Sequence, residues 1–226
     1  MRKILKRYTE DTYDDSVCNE IESKLISLLM QSDKINVALS GGNTPLPILK
    51  LLAERKINWN KIQFYLVDER CVLYDSDECN YTNLKKVFFD KISAKVFPIT
   101  LNNENYKAAS LKYNQVIDSL PKKNEIPQFD LVLLGMGNDG HTASLFPRTK
   151  ALDAMDAWVV LNEVPKLETL RITITFPVIL NAKNVWVLSK GEDKNKIIDN
   201  LYSKEPRNYP MLKIVEEFDN LKWYII

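Results

Sequence analysis

The feature that most limits how this chain can fold is a set of short, largely apolar runs, each followed by a turn sequence and then by apolar residues at helical spacing. Ile35 to Leu39, Ile62 to Val67 and Phe129 to Leu134 are three such runs. None alternates strictly between apolar and polar residues, so each predicts a strand covered on both faces. Between them the period changes. Val17, Ile21, Leu25, Leu28 and Leu29 predict a helix over 14–31, and further helices are expected over 45–55, 80–89 and 104–119. Later strands are expected at Trp158–Leu161, Leu170–Phe176, Val185–Leu188 and Leu221–Ile226, with a helix near 192–202. Doubly covered strands separated by helices predict an α/β fold, a mainly parallel sheet sandwiched by helices on both faces. With no repeat and no Gly/Ser/Pro-rich linker, residues 1–226 are expected to form a single domain, long enough to bury a large core without disulfides or metals.

Charge and cysteine content remove several classes of function. Lysine plus arginine number 31 and aspartate plus glutamate 30, a formal charge of +1, so nucleic acid and anionic membrane are not expected partners. Cys18, Cys71 and Cys79 are odd in number and lack C-x-x-C spacing, which predicts ordinary reduced thiols. The basic start at Met1–Lys6 runs into the acid-rich stretch Asp11 to Glu22 rather than an apolar segment, and the expected location is the cytoplasm. There is no H-E-x-x-H and no G-x-S-x-G, and one histidine cannot build a multi-histidine metal site. Neither a metal nor a cofactor is expected. Nothing calls for an obligate assembly, so a monomer or weak homodimer is expected.

In parallel sheets, ligands gather beyond the carboxyl ends of the strands. Three strand ends here carry unusual sequences. The first is Ser40-Gly41-Gly42-Asn43-Thr44-Pro45. Paired glycines allow a tight turn, Thr44 suits an N-cap, and Pro45 suits the first helical position. Free N–H groups at a helix start favour an anion, although an ordinary strand-to-helix turn would look similar. No Gly-Lys-Ser/Thr follows, so a nucleoside triphosphate is not implied. The second is Asp68-Glu69-Arg70, where Arg70 offers a planar fork for phosphate or carboxylate. Asp68 or Glu69 could serve as a base, orient another group or pair with Arg70. Charges at such a strand end are expected at the cleft rather than deep in the core.

The third strand end, Gly135 to Pro147, reads G-M-G-N-D-G-H-T-A-S-L-F-P and holds His141, the sole histidine. Imidazole is the side chain best suited to take a proton near neutrality, and Asp139 two residues earlier can fix its tautomer. Gly135, Gly137 and Gly140 also match G-x-G-x-x-G, but Pro147 cuts the following helix short and no acid sits at the end of a next strand, so a nicotinamide site is not supported. Arg171 and Lys194 are two further cations near strand and helix starts.

These segments resemble the 6-phosphogluconolactonase family. The matching pieces are L-S-G-G-N-T-P at Leu39–Pro45, V-D-E-R at Val67–Arg70, D-S-D-E-C-N-Y at Asp75–Tyr81 and L-G-M-G-N-D-G-H-T-A-S-L-F-P at Leu134–Pro147. R-I-T-I-T at Arg171–Thr175 and G-E-D-K at Gly191–Lys194 match more weakly. The resemblance implies a Rossmann-like fold shared with glucosamine-6-phosphate isomerases. It implies hydrolysis of 6-phospho-D-glucono-1,5-lactone to 6-phospho-D-gluconate in the oxidative pentose phosphate pathway, with a small sugar-phosphate substrate. The active histidine falls on His141, the phosphate loop on Gly41, Gly42, Asn43 and Thr44, and the basic substrate contacts on Arg70, Arg171 and Lys194. Three positions depart from the pattern: Asn138 stands where an acid is frequent, Arg148 where glycine is common, and Ile226 where an aspartate and a final helix usually follow. Related deaminases carry D-E-Y instead of D-E-R, and I-A-F-N-E-P after the D-G-H, supplying an acid that T-A-S-L-F-P lacks. A phosphosugar-binding regulator on the same scaffold is the non-enzymatic alternative; no DNA-binding module is evident.

Overall fold

The apolar runs do become a parallel sheet, and the order of its strands decides where a ligand can bind. The computed structural model describes residues 4–101, 105–203 and 208–226. The chain opens with β1 (Ile4–Arg7), α1 (Glu10–Leu29), β2 (Ile35–Leu39), α2 (Pro45–Leu52) and β3 (Ile62–Leu66). Then come β4 (Asp68–Arg70), α3 (Asn80–Val87), β5 (Lys95–Phe97) and α4 (Tyr106–Asp118). A two-residue hairpin, β6 (Lys122–Lys123) and β7 (Ile126–Pro127), leads to β8 (Leu131–Gly135). The rest is β9 (Val159–Val164), β10 (Thr169–Ile174), α5 (Phe176–Leu180), β11 (Val185–Ser189), α6 (Glu192–Leu201), α7 (Pro210–Glu217) and β12 (Lys222–Ile225).

Seven strands form the main sheet in the order β1-β12-β11-β8-β2-β3-β5, and every neighbouring pair is parallel. β2 lies near its middle with all five side chains buried, which is why its sequence is apolar on both faces. Each fully buried Ile, Leu or Val in such a strand contributes about 1.5–3 kcal/mol. α1 buries Tyr13, Val17, Cys18, Ile21, Leu25 and Leu28, one stripe at helical spacing. The connections from β1 to β2, β2 to β3 and β3 to β5 run toward one edge, and those from β5 to β8, β11 and β12 run back toward the other. Right-handed crossovers therefore place α1, α2 and α3 on one face and α4 to α7 on the other; α1 packs on α2 and α2 on α3, whereas α7 packs on α5 and α6. The direction reverses between β2 and β8, which lie side by side. This is the topological switch point, and the crevice beyond it is where open α/β sheets take their ligands.

Two strands expected from the sequence lie elsewhere. The runs around 158–161 and 170–176 become β9 and β10, an antiparallel hairpin that also pairs with β4. Only a turn at Pro165–Leu167 and a left-handed Glu168 separate them, too little chain for a parallel crossover. β4 itself was not expected as a strand, because Asp68-Glu69-Arg70 carries no apolar signal. β1 and α7 were also unanticipated. The helix expected from residue 104 begins at Tyr106, and residue 104 lies outside the described residues. Cys18, Cys71 and Cys79 are free thiols. β12 is inserted between β1 and β11 with Trp223, Tyr224 and Ile225 buried. Among the described residues no helix is long and apolar enough to cross a membrane.

Candidate active site

Beyond the switch point lies a cleft of about 240 Å³ lined by residues from all three unusual strand ends. Gly42, Asn43, Thr44, Arg70, His141, Arg171 and Lys194 all line it. Gly41 and Asp139 do not; each stands behind a lining residue. The β2 and β8 ends are stitched together by Ser40, whose N–H donates to the Leu133 carbonyl and whose Oγ accepts from the Gly135 N–H at 3.3 Å.

At the β2 end, α2 starts with Pro45 at its first position, as its sequence predicts. Thr44 is not the expected side-chain cap. Its backbone is already helical (φ −64°, ψ −44°) and its hydroxyl makes no cap bond. Pro45 and Pro47 carry no N–H, so the donors this start can offer an outside acceptor are the Leu46 N–H and those of the loop before it.

At the second strand end, β4 and β10 place Arg70 directly across from Arg171. Arg70 Nη1 donates to the Glu78 carbonyl at 2.7 Å. Arg171 is buried, and that burial, together with the Arg70 charge, pulls its pKa below the usual guanidinium value. Among the described residues neither arginine forms an ion pair with a carboxylate. Two adjacent cations with no direct ion pair, with Asp68 and Glu78 acting on Arg171 only from further off, favour an anion between them. Lys194, at the start of α6, also has no carboxylate partner there, and burial lowers its pKa.

The acids of this strand end divide by strand alternation. Asp68 faces the cleft, and its Oδ2 accepts from Ser144 Oγ at 2.6 Å. Glu69 points the other way and is fully buried, contrary to the expectation that these charges sit at the cleft. Its carboxylate accepts the N–H groups of Arg70, Asn80 and Tyr81 at 2.7–2.8 Å, which offsets part of the desolvation. Burial still pushes its pKa up to about 7. Neither acid pairs with Arg70.

The histidine loop is shaped around one ring. Asp139 Oδ1 lies 2.5 Å from His141 Nδ1 and also accepts the His141 N–H at 3.2 Å. The bond to His141 is the main reason the Asp139 carboxyl is held down at about 2. A carboxylate at Nδ1 fixes the tautomer with its proton there and leaves Nε2 as the lone-pair nitrogen. Phe146 stacks on the imidazole with centroids 3.9 Å apart. A Cβ at Gly137 would lie 2.0 Å from His141 Cε1, so only glycine leaves room for the ring. Ala143, two residues on, is held in the left-handed region at φ 49°, a strain of the kind that gathers at functional sites. In the deaminase pattern I-A-F-N-E-P, the acid aligns with Phe146, so here an aromatic face stands at that position.

The cleft wall includes Ser40 and Asp68, which the sequence offered as candidates, and Asn80, Ser144 and Met136, which it did not. The bonds of Asn80 and Ser144 to Asp68 run across chain separations that no local pattern reveals. Among the described residues no group of three or more His, Cys, Asp or Glu side chains could hold a metal ion.

The model of the family described as glucosamine-6-phosphate isomerases/6-phosphogluconolactonase matches residues 8–223. The chain belongs to this family. It is 37% identical over 197 residues to the 6-phosphogluconolactonase of Thermotoga maritima, covering 86% of each chain. It is 37% identical over 205 residues to that of Chlamydia pneumoniae, covering 87% of this chain and 77% of the relative. The crystal structure of the Thermotoga maritima 6-phosphogluconolactonase superposes with a TM-score of 0.86 at 32% identity, covering 99% of both chains. A Trypanosoma brucei 6-phosphogluconolactonase structure gives 0.87 at 26% identity, covering 99% of this chain and 96% of that one. The α/β fold expected from the strand and helix pattern is thus that of the family.

Proposed function

We propose that the chain is a lactonase that hydrolyses 6-phospho-D-glucono-1,5-lactone to 6-phospho-D-gluconate, the step of the oxidative pentose phosphate pathway that its relatives are named for. The observation that carries this reading is His141, bonded to Asp139, in a cleft that also holds a helix start and Arg70, Arg171 and Lys194, none of them in a direct ion pair among the described residues. The Gly41–Thr44 loop with Arg70 and Lys194 holds the phosphate, and Arg171 extends the cationic wall. His141 Nε2 takes a proton from water as it attacks the lactone carbonyl. The basic side chains or backbone N–H groups stabilise the oxyanion. Asp139 keeps Nδ1 protonated and supports the imidazolium, which then returns its proton to the leaving ring oxygen. The lactone is already reactive, so position plus one base supplies most of what is needed.

The test is hydrolysis of freshly generated lactone, with product fed to its dehydrogenase, beside ammonia release from glucosamine 6-phosphate. Acceleration above the spontaneous rate with no ammonia is expected. Ammonia release without lactone hydrolysis would assign the chain to the deaminase side of its family instead.

A further inference from the structure

The anion loop does not rest on its own backbone alone. Against it packs a buried construction that reaches the cleft wall at Asn80. Glu69 binds the first two N–H groups of α3 and so pins the start of that helix onto β4, with Cys79 Sγ a further contact at 3.6 Å. The first residue of α3, Asn80, then reaches back, its Nδ2 donating to the Asp68 carbonyl at 3.0 Å. This orients the amide, so its Oδ1 faces Gly41. A Cβ built on Gly41 would stand 2.4 Å from Asn80 Cβ and 2.7 Å from Oδ1. Asn80 is therefore the floor on which Gly41 sits, and that contact explains why position 41 needs glycine. Asn80 is only 2% exposed, yet Oδ1 has no hydrogen-bond partner among the described residues. A buried unpaired amide oxygen is unfavourable. Such a cost at a cleft wall points to a residue kept for position rather than for stability.

We infer that Asn80, held in place by Glu69, is a positioning residue for the phosphate-binding loop, acting through Gly41 and without touching the reacting atoms. The inference rests on the reading of this loop as the phosphate site. Its consequence is a split: changes at this floor alter anion affinity and leave the histidine chemistry largely intact.

The experiment measures inorganic phosphate binding by calorimetry, with lactone kinetics and melting temperature alongside. Asn80→Ala should weaken phosphate binding and raise KM together by about tenfold, with kcat down less than about threefold. Glu69→Gln, which keeps the size but loses one acceptor, should show the same split at smaller amplitude. Gly41→Ala should lose phosphate binding by about 10²-fold, and Gly41→Ala with Asn80→Gly should recover much of that loss, because the colliding Cβ has been removed. Unchanged phosphate affinity in a folded Asn80→Ala or Glu69→Gln, or no recovery in the paired variant, overturns the inference. Should the wild-type chain bind phosphate but leave the lactone untouched, the proposed reaction falls while the binding series still decides the role of Asn80.

Discussion

The two ends of the cleft are built by different means. At the β2 end the proposed anion-binding groups belong to the loop before α2, with Asn80 packed against Gly41 and Glu69 bonded to the Asn80 N–H. At the β8 end one side chain is the proposed base, and its loop holds that ring: Asp139 on Nδ1, Phe146 on its face, Gly137 at its edge. On the proposed reading, the first arrangement binds the charge of the phosphate. On the same reading, the second does chemistry only where a carbonyl and a water meet Nε2. Damage at the β8 end should therefore appear in kcat, and damage at the β2 and β4 ends in KM.

The largest expected effect is at His141. His141→Asn removes the base and should lower kcat by about 10²–10⁴-fold while the melting temperature and phosphate affinity stay near wild type. Gly137→Ala drives a methyl into the ring and should lower kcat by about 10²-fold with KM less affected, read from steady-state kinetics. Arg171→Lys keeps the charge but loses the fork opposite Arg70, and should raise KM by about tenfold with a smaller change in kcat. A larger loss in kcat than in KM there would move Arg171 from the phosphate to the lactone ring.

Asp139 supplies a test by pH. Its folded carboxyl titrates at about 2, below its ordinary value of 3.8, so the unfolded chain binds more protons between those values. The stabilisation is complete above about pH 4 and is lost as the pH falls toward 2. Acid unfolding followed by circular dichroism should show a weaker pH dependence in that window for Asp139→Asn than for wild type. The smallest effect belongs to Arg148, an exposed residue in the left-handed region at φ 63° just past the histidine loop. Arg148→Gly relieves that conformation and should raise stability by about 0.5–1 kcal/mol in urea unfolding, with kcat unchanged.

The same contrast governs what could be read without coordinates. The histidine loop was legible because Asp139 and His141 are two residues apart and their contact is local. The glycine pair and Pro45 announced the helix start, but Thr44 gave a false cap signal, since its helical backbone turns the hydroxyl away from that role. The central strands were readable because burial on both faces leaves a run of apolar residues. β4 was not, because its three residues are charged and its strand character comes from pairing with β10, about a hundred positions later. Asn80 was invisible for a related reason. It lies in the Asp75–Tyr81 stretch that resembles the family, and only the fold brings it against Gly41. The departure at Arg148 acquired a physical meaning once its backbone proved left-handed, the conformation glycine adopts without strain.

The most direct test of the division between the two ends is a paired measurement on His141→Asn: kcat for freshly generated 6-phosphogluconolactone, and the inhibition constant of inorganic phosphate. A loss of turnover of about 10²-fold or more with phosphate inhibition unchanged is the predicted result. Turnover near wild type would remove His141 from the chemistry, and a parallel loss of phosphate inhibition would show that the two ends do not act separately.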